Sequence, residues 1–373
     1  MREYTDGATA IVRGALAAGC TFFAGYPISP ATQILLQMVR DLPRVGGVAV
    51  QAEDEIASIS MCIAAVMSGA RAMTATSGPG ISLYSENVGL AIMGEVPLVI
   101  VDVQRAGPAT GGATTVGQGD IQFVRWGTSG GYPLIALAPS SVPECYTLMM
   151  KAFDLAERFR CPVFVMTDKE LNLTTTTVEM DEFVTVPVRA REIAPRVEGE
   201  SRPYRFNPPD GVPPMAHYGE SRIVRFTGSS HDERALLTKV PTQVGALNQH
   251  LSEKIEAHRD EIEMVKADLQ PGAKTLLMSY GITARAMEEA ALAARSKGQS
   301  VSALTIQSLW PVPETAIRAA LPGIERIVVA ELNLGEYRRE VERLVSDRPV
   351  VGLNRTDGEL IAPDQFVAAI AGA

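Results

Sequence analysis

Short apolar runs alternate with stretches of helical period through the first half of the chain, the pattern of a parallel α/β domain. Asp6 to Ala18 reads as a helix closed by Gly19, and Thr21 to Gly25 as a strand. Ser29-Pro30 is a helix-start signature, in which the hydroxyl caps and the proline takes the first helical position. That helix runs to Arg40, and Gly47 to Gln51 is the next strand. From Asp54, the residues Ile56, Ile59, Ile63 and Val66 recur at helical spacing up to Gly69. Ala72 to Thr76 is a strand feeding the turn Ser77-Gly78-Pro79-Gly80 and a helix to Gly94. Leu98 to Gln104 is apolar enough for a sheet covered on both faces. Leu134 to Ala138 and Pro162 to Met166 are further strands, with a helix between them capped near Ser140 or Ser141.

The alternation stops between residues 175 and 240, where Pro195, Pro203, Pro208, Pro209, Pro213 and Pro214 cluster among polar residues. This predicts a long ordered connection. One amphipathic helix is then expected along Leu247, Leu251, Ile255, His258, Ile262, Val265 and Leu269, packed on its own body rather than in a coiled coil. A second α/β unit follows from Lys274. Its strands are Thr275 to Ser279, Ser300 to Ile306, Arg326 to Ala330 and Val350 to Leu353; its helices are Ile282 to Ser296, Pro313 to Ala320 and one from Pro363. The expected organisation is α/β: a parallel-sheet domain at 1–175, a connection with an amphipathic helix at 176–270, and a second parallel-sheet domain at 271–373.

A formal charge of −9 lacks the basic stripe that a nucleic-acid surface needs. No uncharged apolar run is long enough to span a membrane, and the N-terminus reads as lacking a secretory signal, so the cytoplasm is the expected location. Cys20, Cys62, Cys145 and Cys161 make no Cys-x-x-Cys pair, which argues against a zinc or iron–sulfur site in this chain. Cys62 and Cys161 lie in apolar runs and read as small buried hydrophobes.

The chemistry gathers just past three strand ends: Gly25-Tyr26-Pro27-Ile28-Ser29-Pro30, Gln51-Ala52-Glu53-Asp54-Glu55 and Val101-Asp102-Val103-Gln104-Arg105. An open α/β sheet builds its ligand crevice at such ends. A carboxylate, a hydroxyl and a guanidinium there suit a cofactor ring held beside an acid substrate. These stretches, with Thr74 to Gly80 and Val103 to Pro108, resemble the α subunit of 2-oxoacid:ferredoxin oxidoreductases, most of all the 2-oxoglutarate type. His231-Asp232-Glu233-Arg234, Leu309 to Pro313 and Glu331 to Gly335 are also similar, so the resemblance spans nearly the whole chain.

The resemblance implies a pyrimidine-type thiamine-diphosphate-binding fold followed by a transketolase-C-terminal-like domain. It implies CoA-dependent oxidative decarboxylation of a 2-oxo acid with electrons passed to ferredoxin, reversed in some relatives to fix carbon dioxide. Glu55 would tune the cofactor through its pyrimidine N1′, with Glu53 the competing assignment and a plain helix-terminus charge the bland one. Arg105 would clamp the substrate carboxylate; the alternative is a surface ion pair. Ser29 would polarise the carbonyl or cap a helix. Pro27, Ser77 and Gly78 would line the cofactor pocket, and the Gly107 to Gly119 loop would close over substrate or merely connect.

Gly119-Asp120-Ile121 lacks the second glycine of the Gly-Asp-Gly diphosphate motif. The resemblance therefore places the diphosphate with its Mg²⁺, and a [4Fe-4S] cluster, on a β subunit. Further γ and δ subunits, ferredoxin and coenzyme A complete the expected partners. Two other readings stand beside this one: a lipoamide-linked 2-oxo acid dehydrogenase subunit, and a non-catalytic scaffold that keeps only the fold.

Overall fold

The computed structural model describes residues 1–195, 202–219, 221 and 223–371. Its main sheet has seven strands in the order Ser308–Trp310, Ile135–Leu137, Val163–Asp168, Leu98–Gln104, Ala72–Thr76, Phe22–Gly25, Val48–Gln51. Every pairing is parallel except that of Ser308–Trp310 with Ile135–Leu137. The strand Leu98–Gln104 is buried throughout, and alternation divides its side chains between two cores. Leu98 and Ile100 pack toward the helices Glu55–Met67 and Pro79–Met93, while Val99, Val101 and Val103 pack toward Gly7–Ala17 and Val142–Phe159. The chain order around the sheet reverses between Phe22–Gly25 and Ala72–Thr76, which opens a crevice at their carboxyl ends.

The second sheet has five strands, in the order Val350–Asn354, Arg326–Glu331, Thr275–Ser279, Val301–Ile306, Val265–Asp268, the last of them antiparallel. A small antiparallel pair, Arg2–Thr5 with Thr176–Glu179, ties the N-terminus to the end of the first unit. The segment 176–270 thus gives a strand to a neighbouring sheet at each end.

Two local expectations are corrected. The first is the helix start at Ser29-Pro30: the helix is Thr32–Asp41, with Ala31 at its cap and no side-chain cap bond. Tertiary bonds hold the preceding turn off the helical path, Arg105 Nη1 donating to the Ser29 carbonyl at 2.6 Å and Asn172 Nδ2 to the Pro30 carbonyl at 3.1 Å. The second is the single amphipathic helix. It ends at Glu256, a separate four-residue helix Arg259–Ile262 follows, and Val265 enters a strand. Sheet pairing outweighs the helical period here: Met264 N–H donates to Ser308 Oγ at 2.8 Å, and the Met264 carbonyl accepts from Gln307 and Ser308. Leu247, Leu251, Ile255 and Ile262 are buried on their own body as expected. All four cysteines are free and buried, and burial pushes the Cys20 and Cys161 thiols up to about 12.

A buried ionic cluster fastens the proline-rich connection. Glu95 Oε2 accepts from His250 Nε2 and from Lys254 Nζ, both at 2.9 Å, and Arg160 Nε donates to the Glu95 carbonyl at 3.3 Å. The same side chains reach into the connection: Arg160 Nη1 donates to the Pro203 and Pro213 carbonyls at 2.9 Å, and His250 Nδ1 faces the Pro209 carbonyl at 2.7 Å. Burial alone would raise the Glu95 carboxyl, but Lys254, the His250 hydrogen bond and Arg160 outweigh it and hold it well below the usual carboxylate range. Its ionised form therefore stabilises the fold fully above the unfolded value of about 4.3, and that contribution drains away as pH falls toward the lower native value. Glu95→Gln leaves buried cations uncompensated and should cost about 3–5 kcal/mol at neutral pH, with the deficit shrinking in acid. Urea unfolding of both proteins across pH 3 to 7 checks this; equal midpoints throughout would mean that the cluster adds nothing.

Candidate active site

Four successive strand ends on the crevice side present the site. Glu55 opens the helix Glu55–Met67, yet the N-cap is Asp54, which accepts the Ala57 N–H at 2.7 Å. Glu55 is thus not needed as a cap. Its side chain turns inward and is 6% exposed, whereas Glu53 is exposed. A Cβ added at Gly80 would overlap Thr76 Oγ1 and come within 3.0 Å of Glu55 Cγ and 3.1 Å of Oε1. Glycine at this point lets the carboxyl lie against the turn. Behind it, Ser58 Oγ donates to the Glu55 carbonyl at 2.8 Å and pairs with Tyr84 Oη at 3.1 Å, which also meets Thr74 Oγ1 at 2.7 Å. No hydrogen bond from a described residue reaches the Glu55 carboxylate.

The turn Ser77 to Gly80 separates Glu55 from Arg105. Gly78 caps the helix Pro79–Met93 at φ 44°, in the region that favours glycine. An added Cβ there would lie 3.4 Å from Arg105 Nε. Arg105 is 5% exposed and faces no carboxylate within ion-pair distance among the described residues, so it is not the surface ion pair of the bland reading. Nη1 and Nη2 donate to the Ser29 and Thr110 carbonyls at 2.6 and 3.1 Å, and Nε has no partner. Thr76 Oγ1 and Ser77 Oγ are likewise buried without partners. Buried polar atoms are normally bonded, so such a cluster marks where a ligand's polar groups fit. Ser29 itself is exposed, and its hydroxyl is free of capping. Pro27, two residues before Ser29, is half-buried.

The loop after Arg105 is folded rather than loose. Ala106 bridges Gly112, and Ala106 N–H donates to the Thr115 carbonyl at 2.8 Å. A cavity of about 460 Å³ lies between this loop and Leu332 to Glu336, with Arg105 on its wall. Burial pushes the Glu336 carboxyl there up to about 7.

Several residues of this region are not identified by the sequence reading. Asn333 Nδ2 donates to the Gln118 carbonyl at 2.6 Å, Gln118 Oε1 accepts from Thr283 Oγ1 and Leu332 N–H at 3.1 Å, and Asp168 Oδ2 accepts the Ile282 N–H at 3.0 Å. These bonds join the two sheets. They also explain two of the resemblance motifs: Glu331 to Gly335 supplies Asn333, and Leu309 to Pro313 supplies Trp310, whose Nε1 donates to the Ile121 carbonyl at 3.1 Å. Asp102, a carboxyl inside an apolar strand, is the signal that was available and unused.

Two family models match this chain: "Pyruvate flavodoxin/ferredoxin oxidoreductase, thiamine diP-bdg" over residues 13–246, and "Pyruvate:ferredoxin oxidoreductase core domain II" over residues 273–366. The chain belongs to the 2-oxoacid:ferredoxin oxidoreductases. The 2-oxoglutarate synthase subunit KorA of Methanothermobacter thermautotrophicus is 42% identical over 372 residues, covering 98% of this chain and 97% of its own. The ketoisovalerate oxidoreductase subunit VorB of the same organism is 35% identical, covering 96% and 94%. The solved 2-oxoglutarate:ferredoxin oxidoreductase from Magnetococcus marinus superposes with a TM-score of 0.92 at 30% identity over all of this chain, which spans 65% of that one. A split-gene transketolase matches at a TM-score of 0.56 and 13% identity, a likeness of fold alone. Within this ferredoxin-linked family the chain is an α-type subunit, and the lipoamide-linked reading loses its support.

The close fit at the turn yields a direct test. Gly80→Ala should lower stability by about 1–3 kcal/mol, because the added methyl displaces Thr76 or Glu55. Melting of the purified subunit reads this out, and an unchanged midpoint would show that the turn has slack.

Proposed function

We propose that this chain, assembled with partner subunits, converts 2-oxoglutarate and coenzyme A to succinyl-CoA and carbon dioxide while two electrons pass to ferredoxin, reversibly. The observation that carries the proposal is the buried Glu55 carboxylate, set against a glycine turn and hydrogen-bonded to none of the described residues. Residues Glu55, Pro27, Ser77 and Gly78 fit the pyrimidine half of thiamine diphosphate: one carboxylate for N1′, and an unpartnered hydroxyl beside a tight turn. Bound there, the cofactor would supply the nucleophilic carbon and the electron sink for decarboxylation.

The chain's own side chains then do three things. Glu55 holds a proton at the cofactor's N1′. Arg105 binds the carboxylate next to the reacting carbonyl, through Nε and the N–H groups not already given to the Ser29 and Thr110 carbonyls. Ser29 Oγ donates to the carbonyl oxygen as negative charge develops on it. Its backbone is pinned by Arg105, so carbonyl and carboxylate are registered against one rigid pair.

The diphosphate with Mg²⁺ and the [4Fe-4S] cluster are assigned to a β subunit, with γ and δ subunits completing the complex in the cytoplasm. Exposed Ile56, Met61 and Leu83, on the two helices that open at the site, suit a face that a partner covers. Four reduced thiols agree with a reducing compartment.

In the co-expressed complex, Glu55→Gln should leave assembly intact and lower turnover about 10²-fold or more; wild-type turnover would remove Glu55 from the mechanism. Arg105→Lys should chiefly raise the KM for the 2-oxo acid, since a point charge replaces a planar fork, and unaltered steady-state constants would place the clamp elsewhere. Ferredoxin reduction measured with 2-oxoglutarate, pyruvate and branched-chain 2-oxo acids should favour the first; preference for a branched-chain acid would reassign the substrate.

A further inference from the structure

Gln118 stands at the exit of the loop that begins at Arg105, and it is fully buried. Each of its polar atoms is bonded to the second α/β unit. Its N–H donates to the Leu332 carbonyl at 2.9 Å, and its carbonyl accepts from Asn333 Nδ2 at 2.6 Å. Its side-chain Nε2 donates to the Tyr280 carbonyl at 3.3 Å, while Oε1 accepts from the Leu332 N–H and from Thr283 Oγ1, both at 3.1 Å. Gly281, at φ 57°, gives the amide its room, since a Cβ there would lie 2.5 Å from Gln118 Nε2.

Tyr280 and Leu332 directly follow the parallel strands Thr275–Ser279 and Arg326–Glu331. These strands are neighbours whose next strands lie on opposite sides in the sheet, the point at which an open α/β sheet has its ligand crevice. In the second unit a side chain of the first fills that place, with its polar atoms matched, so the contact fastens the two units together.

The fastening bears on Arg105 because the loop between the two residues is closed on itself. Arg105 Nη2 donates to the Thr110 carbonyl at 3.1 Å, and Gly112 N–H donates to the Ala106 carbonyl at 2.8 Å. A Cβ at Gly117 would come within 2.9 Å of the Arg105 carbonyl oxygen, so the exit of the loop is pressed against its entry. The cavity of about 460 Å³ has Arg105, Val116 and Gly117 on one wall and Leu332, Asn333 and Thr356 on the other. Gln118 bonds the first wall to the second.

We propose that Gln118 is a positioning residue that sets the distance between the Arg105 loop and the second unit, and so fits the cavity to the 2-oxo acid that Arg105 holds. This rests on the reading of Arg105 as the carboxylate-binding group. Gln118 is not on the cavity wall; it acts through the Arg105 loop and through Leu332 and Asn333.

Thr283, buried and likewise absent from the cavity wall, allows the contact to be weakened from a distance. In the co-expressed complex, Gln118→Leu should raise the KM for 2-oxoglutarate about tenfold or more with kcat changed far less. Thr283→Val withdraws one donor from Gln118 and should raise KM about threefold, whereas Thr283→Ser keeps the hydroxyl and the wild-type KM. A purely structural role would lower the melting temperature and the active fraction, hence the apparent kcat, and leave KM alone. Hydrogen exchange over residues 106–119 reads the fastening without turnover, and Gln118→Leu should speed it about tenfold. Unaltered exchange in Gln118→Leu, or an unaltered KM in both Gln118→Leu and Thr283→Val, overturns the proposal. If Gln118→Leu does not assemble, Thr283→Val against Thr283→Ser decides the matter, and equal KM values overturn it. A wild-type complex that turns over no 2-oxo acid instead defeats the functional reading on which the proposal stands, whatever the exchange shows.

Discussion

The turn from Ser77 to Gly80 has no room for a methyl at Gly80 and holds Gly78 at positive φ, and the geometry of the site depends on it. On one flank Gly80 admits the Glu55 carboxyl; on the other Gly78, at positive φ, admits the Arg105 guanidinium. The turn exists because the strand Ala72–Thr76 ends at the point where chain order reverses across the sheet, so that no neighbouring connection covers it. Backbone shape thus decides how far apart an acid and a base are held, although the two groups lie fifty residues apart in the chain. Their separation also keeps them from neutralising each other. An Arg105–Glu55 ion pair would satisfy both and leave neither available to a ligand.

A buried charge that is not paired must be stabilised in other ways, and the structure shows three solutions. Arg105 gives two of its donors to backbone carbonyls, which fixes its plane without cancelling its charge. Burial drives the Asp102 and Asp120 carboxyls up, toward their neutral forms. Far from the site, Glu95 takes the opposite course and is surrounded by His250, Lys254 and Arg160. The last arrangement is fastening, complete within the chain. The first two leave Arg105 Nε, Thr76 Oγ1 and Ser77 Oγ without partners, which marks them as parts of something larger.

Elements with purely local causes were legible from the sequence. The strands Leu98–Gln104, Ala72–Thr76 and Thr275–Ser279 begin and end where their apolar runs do, and Gly69 follows the helix that starts at Asp54. What misled was tertiary competition. Val265 fits a helical period, but the edge of the second sheet takes it; Ser29 and Pro30 carry a helix-start signature, but Arg105 and Asn172 claim their carbonyls. The helix Glu336–Leu344 was overlooked despite Tyr337, Val341 and Leu344 at spacings of four and three, because charged residues dominate it. For the site, residue types at strand ends identified the carboxylate, the hydroxyl and the guanidinium. The bonds of Gln118 and Asn333 were not legible, since their partners meet only through the fold.

The missing diphosphate cradle and the unpartnered atoms point the same way. A chain able to hold a whole cofactor would close its own polar groups around it, and its stability would not depend on a partner. On the proposed reading, the acid that would tune the ring and the base that would grip the substrate share one crevice, and the charged tail would be held by a partner. Splitting the ligand in this manner would make catalysis conditional on assembly, because neither half would bind the cofactor with both its ring and its tail anchored. It also separates two electrostatic demands. A magnesium–diphosphate centre beside Asp102 and Asp120 would favour their ionised forms, whereas a centre across an interface would leave burial in control of both. The crevice can then be built for an anionic substrate without also being built for a metal.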